Sequence, residues 1–194
     1  ITNIGVVLLS GGLDSTTVTC YALSKMDRLT SLTFQYGQSH SKETRCAAQI
    51  AHFLDVKHVM VDISFFGTVA WYSALTNPQA FPTPKNRSDD DLGSSIPITY
   101  VPLRNTLFLA IAGAYLESEV LYALEVEGLN PQQVEAHLFI ASNAVDYSGY
   151  PDCRPEYYQQ ATQTLAHGSK LGSQYGIPIR VQTPIIHMSK SEIV

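Results

Sequence analysis

Between Leu9 and Thr19 the chain reads LSGGLDSTTVT, a run of small donors that suits one kind of ligand. Ser10, Ser15, Thr16 and Thr17 offer hydroxyls, while Gly11 and Gly12 carry no side chain to keep an anion from the main-chain N–H groups. An apolar strand, Ile4 to Leu9, leads in, and a helix follows at once, so its positive dipole end lies beside the loop. A phosphate is the expected guest, held by Leu9 to Thr19 with Leu13 and Val18 inside the same segment. Asp14 is out of place beside a phosphate unless it caps the helix or holds a magnesium ion. The chain has no Gly-Lys pair for a Walker A loop and no Gly-x-Gly for a dinucleotide fingerprint. A bare strand-to-helix turn would not need this many donors.

Two cations fit the same guest. Arg104 and Lys190 each fall at an expected helix start, where the dipole disfavours positive charge. A triphosphate would remove the conflict. SKSE, Ser189 to Glu192, has the form of a capping box, which puts Lys190 in a first turn. His40, just after YGQ, is a candidate to orient a small nucleophile or carry a proton, though a lone histidine before a helix is more often a surface or capping residue.

The elements that must hold these residues alternate. Strands are expected at Ile4–Leu9, Leu29–Phe34, Val56–Val61, His137–Ser142 and Ile179–Pro184, and helices at Ser41–Leu54, Asn105–Leu116 and Glu156–Leu171. Alternation of this kind predicts an α/β fold, a doubly wound and mainly parallel sheet with helices on both faces. With 194 residues and 45% hydrophobic content, one domain over residues 1–194 is expected. Asn77 to Pro102 breaks the rhythm with five prolines and the triplet Asp89 to Asp91, and reads equally as a mobile lid or as disorder. Twelve basic against seventeen acidic residues, net −5, argue against a nucleic-acid partner. No apolar run approaches the ~20 residues of a membrane span, so no membrane is expected. Cys20, Cys46 and Cys153 form no C-x-x-C pair and suit a reducing, cytoplasmic setting. Cys20 and Cys46 are expected in the core, and Cys153 is expected to be structural.

SGGLDS after strand one resembles the SGGxDS loop of the PP-loop ATP pyrophosphatases, which implies ATP, attack at its α-phosphate and release of pyrophosphate. FQYGQSHSKE, VPLRNTLFL, DYSGYPDCR and TPIIHMSKSEIV, in that order, further resemble the 7-cyano-7-deazaguanine synthase family of the queuosine pathway. The resemblance implies a ligase that joins 7-carboxy-7-deazaguanine and ammonia at the expense of ATP and Mg2+, and it suggests a homodimer. It implies catalytic roles for Asp14, Ser15, Arg104, Lys190 and His40. Asp146, Tyr147, Ser148, Gly149, Tyr150, Asp152 and Arg154 would then bind the substrate. Either aspartate could accept the paired N–H donors of a deazaguanine, the tyrosines could stack on it, and Arg154 suits its carboxylate or an ATP phosphate.

The chain departs from the family in places. Gln35 stands where an aspartate is expected, Ala141 where a glycine is, and Glu119 to Gln133 reads as an insertion. The family's zinc-binding cysteine cluster is not in this sequence, so Zn2+ is expected in a segment beyond Val194, with no metal ligands here. Two other readings fit the loop: another PP-loop ligase or thiolase acting on a nucleotide or tRNA base, and a nucleotide-binding regulator without catalysis.

Overall fold

The computed structural model describes residues 1–36, 41–82, 96–144 and 150–194. Its principal elements are β1 (Thr2–Leu8), α1 (Leu13–Leu23), β2 (Arg28–Gln35), α2 (Ser41–Phe53), β3 (Lys57–Asp62), α3 (Phe66–Val69), α4 (Arg104–Glu125), β4 (Val134–Phe139), α5 (Pro155–Gly168), β5 (Ile179–Gln182) and α6 (Lys190–Ile193). Among the described residues the strands form one sheet in the order β3-β2-β1-β4-β5, every neighbouring pair parallel. The expected doubly wound α/β architecture is what the chain adopts.

Period-two alternation along β1 explains the layering. Ile4, Val6 and Leu8 join the cluster that holds Leu109, Leu116 and Val120 of α4 and Tyr158 of α5. Val7 packs with Val18 and Ala22 of α1 and with Ile193 of α6, while Leu9 packs with Ala47 and Ala51 of α2. Both faces of the sheet are thus apolar, as fully covered parallel strands require. Leu116 is fully buried at the centre of the larger layer, and cutting it to alanine would cost about 2–5 kcal/mol.

The strand order places β2 and β4 on opposite sides of β1. That reversal opens a crevice beyond the carboxyl ends of these strands, the place where open α/β sheets take ligands.

Two expectations are corrected. Cys20 is exposed, not in the core, because the face α1 buries is Ser15, Val18, Thr19 and Ala22, two of them hydroxyl residues that apolar patterning does not mark. Of the stretch read as an insertion, Glu119 to Glu125 form the last turns of α4, and a short 3-10 turn, Pro131–Gln133, leads into β4. By length and composition α4 would also suffice to cross a membrane, contrary to the expected lack of any such run. In this fold its apolar stripe, Leu109, Ala112, Leu116 and Val120, is buried in the core instead. Of the segment 77–102, residues 83–95 lie outside the described residues; on its near side Ala74 donates its N–H to Ile98 across the gap.

Candidate active site

The loop after β1 is closed on itself by its own hydroxyls. Gly12 N–H donates to Ser10 Oγ (3.4 Å), Ser10 donates to Ser15 Oγ (2.9 Å), and Ser15 donates to the Gly12 carbonyl (3.0 Å). Thr16 Oγ donates to that same carbonyl at 2.8 Å. Gly11 has φ +87°, and a Cβ there would lie 2.6 Å from the Glu43 carbonyl oxygen and 2.9 Å from the Ala47 nitrogen. Glycine is therefore required twice over, by backbone conformation and by the close pass of α2. Gly12 caps α1 without a side chain, so the free N–H groups of the first turn stay available beside the loop.

Further along the segment the roles diverge. Val18 and Thr19 are fully buried, Thr19 donating to the Ser15 carbonyl at 2.7 Å, and Leu13 is about half exposed. Asp14 caps nothing; its Oδ2 sits 2.7 Å from Lys190 Nζ. Lys190 is brought there by α6, whose start is held by the Ser189 N–H on Glu192 at 2.7 Å.

The opposite wall begins at the N-terminus of α4. Leu103 occupies its cap position in the left-handed region, φ 54°, and supplies no side-chain acceptor. Asp152, 47 residues away, takes over: Asn105 donates its backbone N–H to Asp152 Oδ2 at 3.4 Å and its side-chain amide to the Asp152 carbonyl at 3.2 Å. The same amide lies 3.4 Å from the Tyr158 hydroxyl. Asp152 is buried, and its Oδ1 has no hydrogen-bond partner among the described residues. Burial raises its pKa above the usual carboxylate value, opposed by the charge of Arg104. Burial likewise pushes the Cys153 thiol up, which suits a structural cysteine and not a nucleophilic thiolate. Tyr150 bonds Thr99 through its hydroxyl at 2.7 Å, and Arg154 is exposed at the cap of α5.

Between these walls lies a cavity of about 620 Å³ at the carboxyl ends of β1, β2 and β4. Ser10 and Ser15 line one side, Arg104, Asn105 and Cys153 another. Phe34 and Phe108 form an aromatic shelf in it, stacked with centroids 4.4 Å apart, and Tyr36 meets Phe108 edge-on at 5.5 Å. Asn105 and this shelf were not singled out by sequence; an aromatic at a strand end is indistinguishable there from core. The fold joins Ser10, Ser15 and Arg104 around one space, with Lys190 tied to the loop through Asp14. His40, Asp146, Tyr147, Ser148 and Gly149 lie outside the described residues.

Fold and cavity together define a class: a doubly wound α/β protein with a glycine- and hydroxyl-rich loop at its topological switch point. The model of the family described as queuosine biosynthesis protein QueC matches residues 4–194, and the chain belongs to that family. Among its relatives, the 7-cyano-7-deazaguanine synthase of Picrophilus torridus is 42% identical over 191 residues, covering 97% of this chain and 70% of the relative. The 7-cyano-7-deazaguanine synthase of Thermoplasma volcanium is 44% identical with the same coverage. That of Magnetococcus marinus is 44% identical over 192 residues, covering 97% of this chain and 74% of its own.

Proposed function

We propose that this chain is an ATP-dependent carbon–nitrogen ligase that converts 7-carboxy-7-deazaguanine and ammonia to 7-cyano-7-deazaguanine. The observation that carries the reading is the self-closed loop from Ser10 to Thr16 opening on the same cavity as Arg104, in a chain whose relatives carry that enzyme's name. A carboxylate oxygen of the substrate attacks the α-phosphorus of ATP, and pyrophosphate leaves. Ammonia then adds to the acyl carbon, AMP departs and a proton is lost, giving the amide. The amide oxygen is activated by ATP in the same way. Loss of AMP with that oxygen, and of the remaining N–H protons, leaves the nitrile.

In this scheme the residues divide by chemistry. The segment from Leu9 to Thr19 holds the triphosphate through N–H groups and hydroxyls, with Val18 and Thr19 acting from beneath by fixing α1. Arg104 and Lys190 neutralise charge that grows on the phosphates as pyrophosphate leaves. Asp152 accepts a donor of the deazapurine at Oδ1, with Tyr150, Arg154 and residues 146–149 completing that side. His40 serves ammonia.

Magnesium fits the donor set, since it binds through one or two carboxylates together with substrate phosphates, and Asp14 stands at the loop to supply one. Zinc does not fit: among the described residues no three His, Cys, Asp or Glu side chains gather, and no step is drawn through it. The single domain over residues 1–194, a homodimer and a cytoplasmic location belong to the same proposal.

The test is the nucleotide product. Purified protein supplied with ATP and Mg2+ should form AMP and pyrophosphate only when both the deazapurine acid and ammonia are present. Turnover with the acid absent, or ATP binding without any turnover, would reject the ligase.

A further inference from the structure

Thr33, on β2, is buried, with only 3% of its surface exposed, and sequence patterning marks it as nothing more than a strand residue. Its Oγ1 lies 2.6 Å from the carbonyl oxygen of Leu9 and 2.8 Å from Nε2 of His58 on β3. The carbonyl has no hydrogen, so at this distance the threonine hydroxyl donates to it. Thr33 has no second hydrogen, so Nε2 of His58 must be the donor in the other contact. The chain His58 N–H to Thr33 O–H to Leu9 C=O therefore runs in one direction and selects one imidazole tautomer.

The Leu9 carbonyl is the last fixed point before the phosphate loop. It belongs to the peptide unit whose other end is the Ser10 N–H, and that N–H donates to Ser15 Oγ at 3.2 Å. Leu9 also donates its own N–H to the Leu32 carbonyl at 2.8 Å. A peptide is planar, so holding its carbonyl oxygen from β2 sets where its N–H points. The loop's hydroxyl ring closes through the same Ser15 Oγ. The orientation of one peptide plane thus passes from β3, through β2, into the loop.

We propose that Thr33 and His58 are positioning residues that hold the Leu9–Ser10 peptide in the orientation in which the loop receives the phosphates of ATP. Neither touches the reacting atoms. Their effect is preorganisation: without them the loop would have to be ordered by the nucleotide itself, and affinity would fall by that ordering cost. The inference rests on ATP being the ligand of this loop.

The test compares paired substitutions. Thr33→Val keeps the shape and removes the donor, while Thr33→Ser keeps the donor. His58→Leu removes the N–H, while His58→Gln returns an N–H donor at similar reach. Calorimetric titration with Mg2+ and a non-hydrolysable ATP analogue, with kcat and KM for each substrate, reads the result. Thr33→Val and His58→Leu should weaken nucleotide binding roughly five- to tenfold, the scale of one hydrogen bond, with a rise in KM for ATP and little change in KM for the deazapurine acid. Thr33→Ser and His58→Gln should recover most of the loss. If Thr33→Val does not fold, the His58 pair makes the same comparison. Nucleotide binding unchanged in Thr33→Val and His58→Leu, or melting, kcat and both KM values all worsening without rescue, would overturn the inference alone. A wild-type chain that takes up no nucleotide would overturn the reading of the loop, and this inference with it.

Discussion

Lys190 Nζ lies 2.7 Å from Asp14 Oδ2, joining the last helix to the first across 176 residues. Lys190 conflicts with the dipole at the start of its own helix, and the carboxylate of Asp14 answers that conflict. The lysine side chain is about half exposed, so the pair itself contributes only about 0–1 kcal/mol to stability. In the proposed reaction its use is chemical. Lys190→Met should lower kcat/KM by roughly 100-fold through loss of charge stabilisation, while denaturant unfolding stays within about 1 kcal/mol of wild type. Unfolding and activity falling together would make the pair a structural clamp.

Gly11→Ala tests the loop's geometry. Its φ of +87° disfavours a Cβ by about 1–2 kcal/mol, and the added methyl would meet the α2 main chain, which has no flexible end to yield. The variant should melt lower and lose nucleotide binding. Gly67→Ala makes the control, for nothing lies within 4 Å of a Cβ there and it should behave as wild type. A Gly11→Ala protein with normal ATP affinity would show that the loop refolds on binding.

Asp152→Asn separates capping from recognition. An asparagine can keep one carbonyl oxygen for the Asn105 N–H while turning the free position from acceptor to donor. Because burial raises the native pKa of Asp152, its contribution to stability is present at low pH and is lost as pH rises through that value. A neutral isostere should then melt as high as wild type at pH 7, or higher. KM for the deazapurine acid should rise about 10- to 100-fold with KM for ATP unchanged. Unchanged kinetics would leave Asp152 as a helix cap only.

Acid should destabilise the fold through its buried and half-buried imidazoles. His137 is buried beside Glu135 and Gln182, and desolvation outweighs the carboxylate to hold its pKa below 6.5; burial lowers His58 in the same direction. The unfolded chain therefore takes up protons first as pH falls below about 6.5, and stability declines from there. Urea unfolding at pH 7.5 and 5.5 measures the slope, and His137→Gln should flatten it. A slope left intact in His137→Gln would assign the proton uptake elsewhere.

The sequence by itself determined the alternating α/β order, the loop from Ser10 to Thr16 and the helix starts at Arg104 and Lys190. These follow from neighbours along the chain: a glycine needed where φ is positive, hydroxyls within one turn of each other, an apolar run long enough for a strand. The site's completion was not legible. Asp152 reaches α4 only because the chain returns beside it, and Thr33 meets Leu9 and His58 only because β2 lies between β1 and β3. The residue pattern allows other strand orders, and the exposure of Cys20 shows how little apolar patterning says about a helix that buries Ser15 and Thr19. Which face turns inward, and which distant polar groups satisfy each other there, is decided by packing both sides of the sheet at once, and that is a property of the tertiary structure alone.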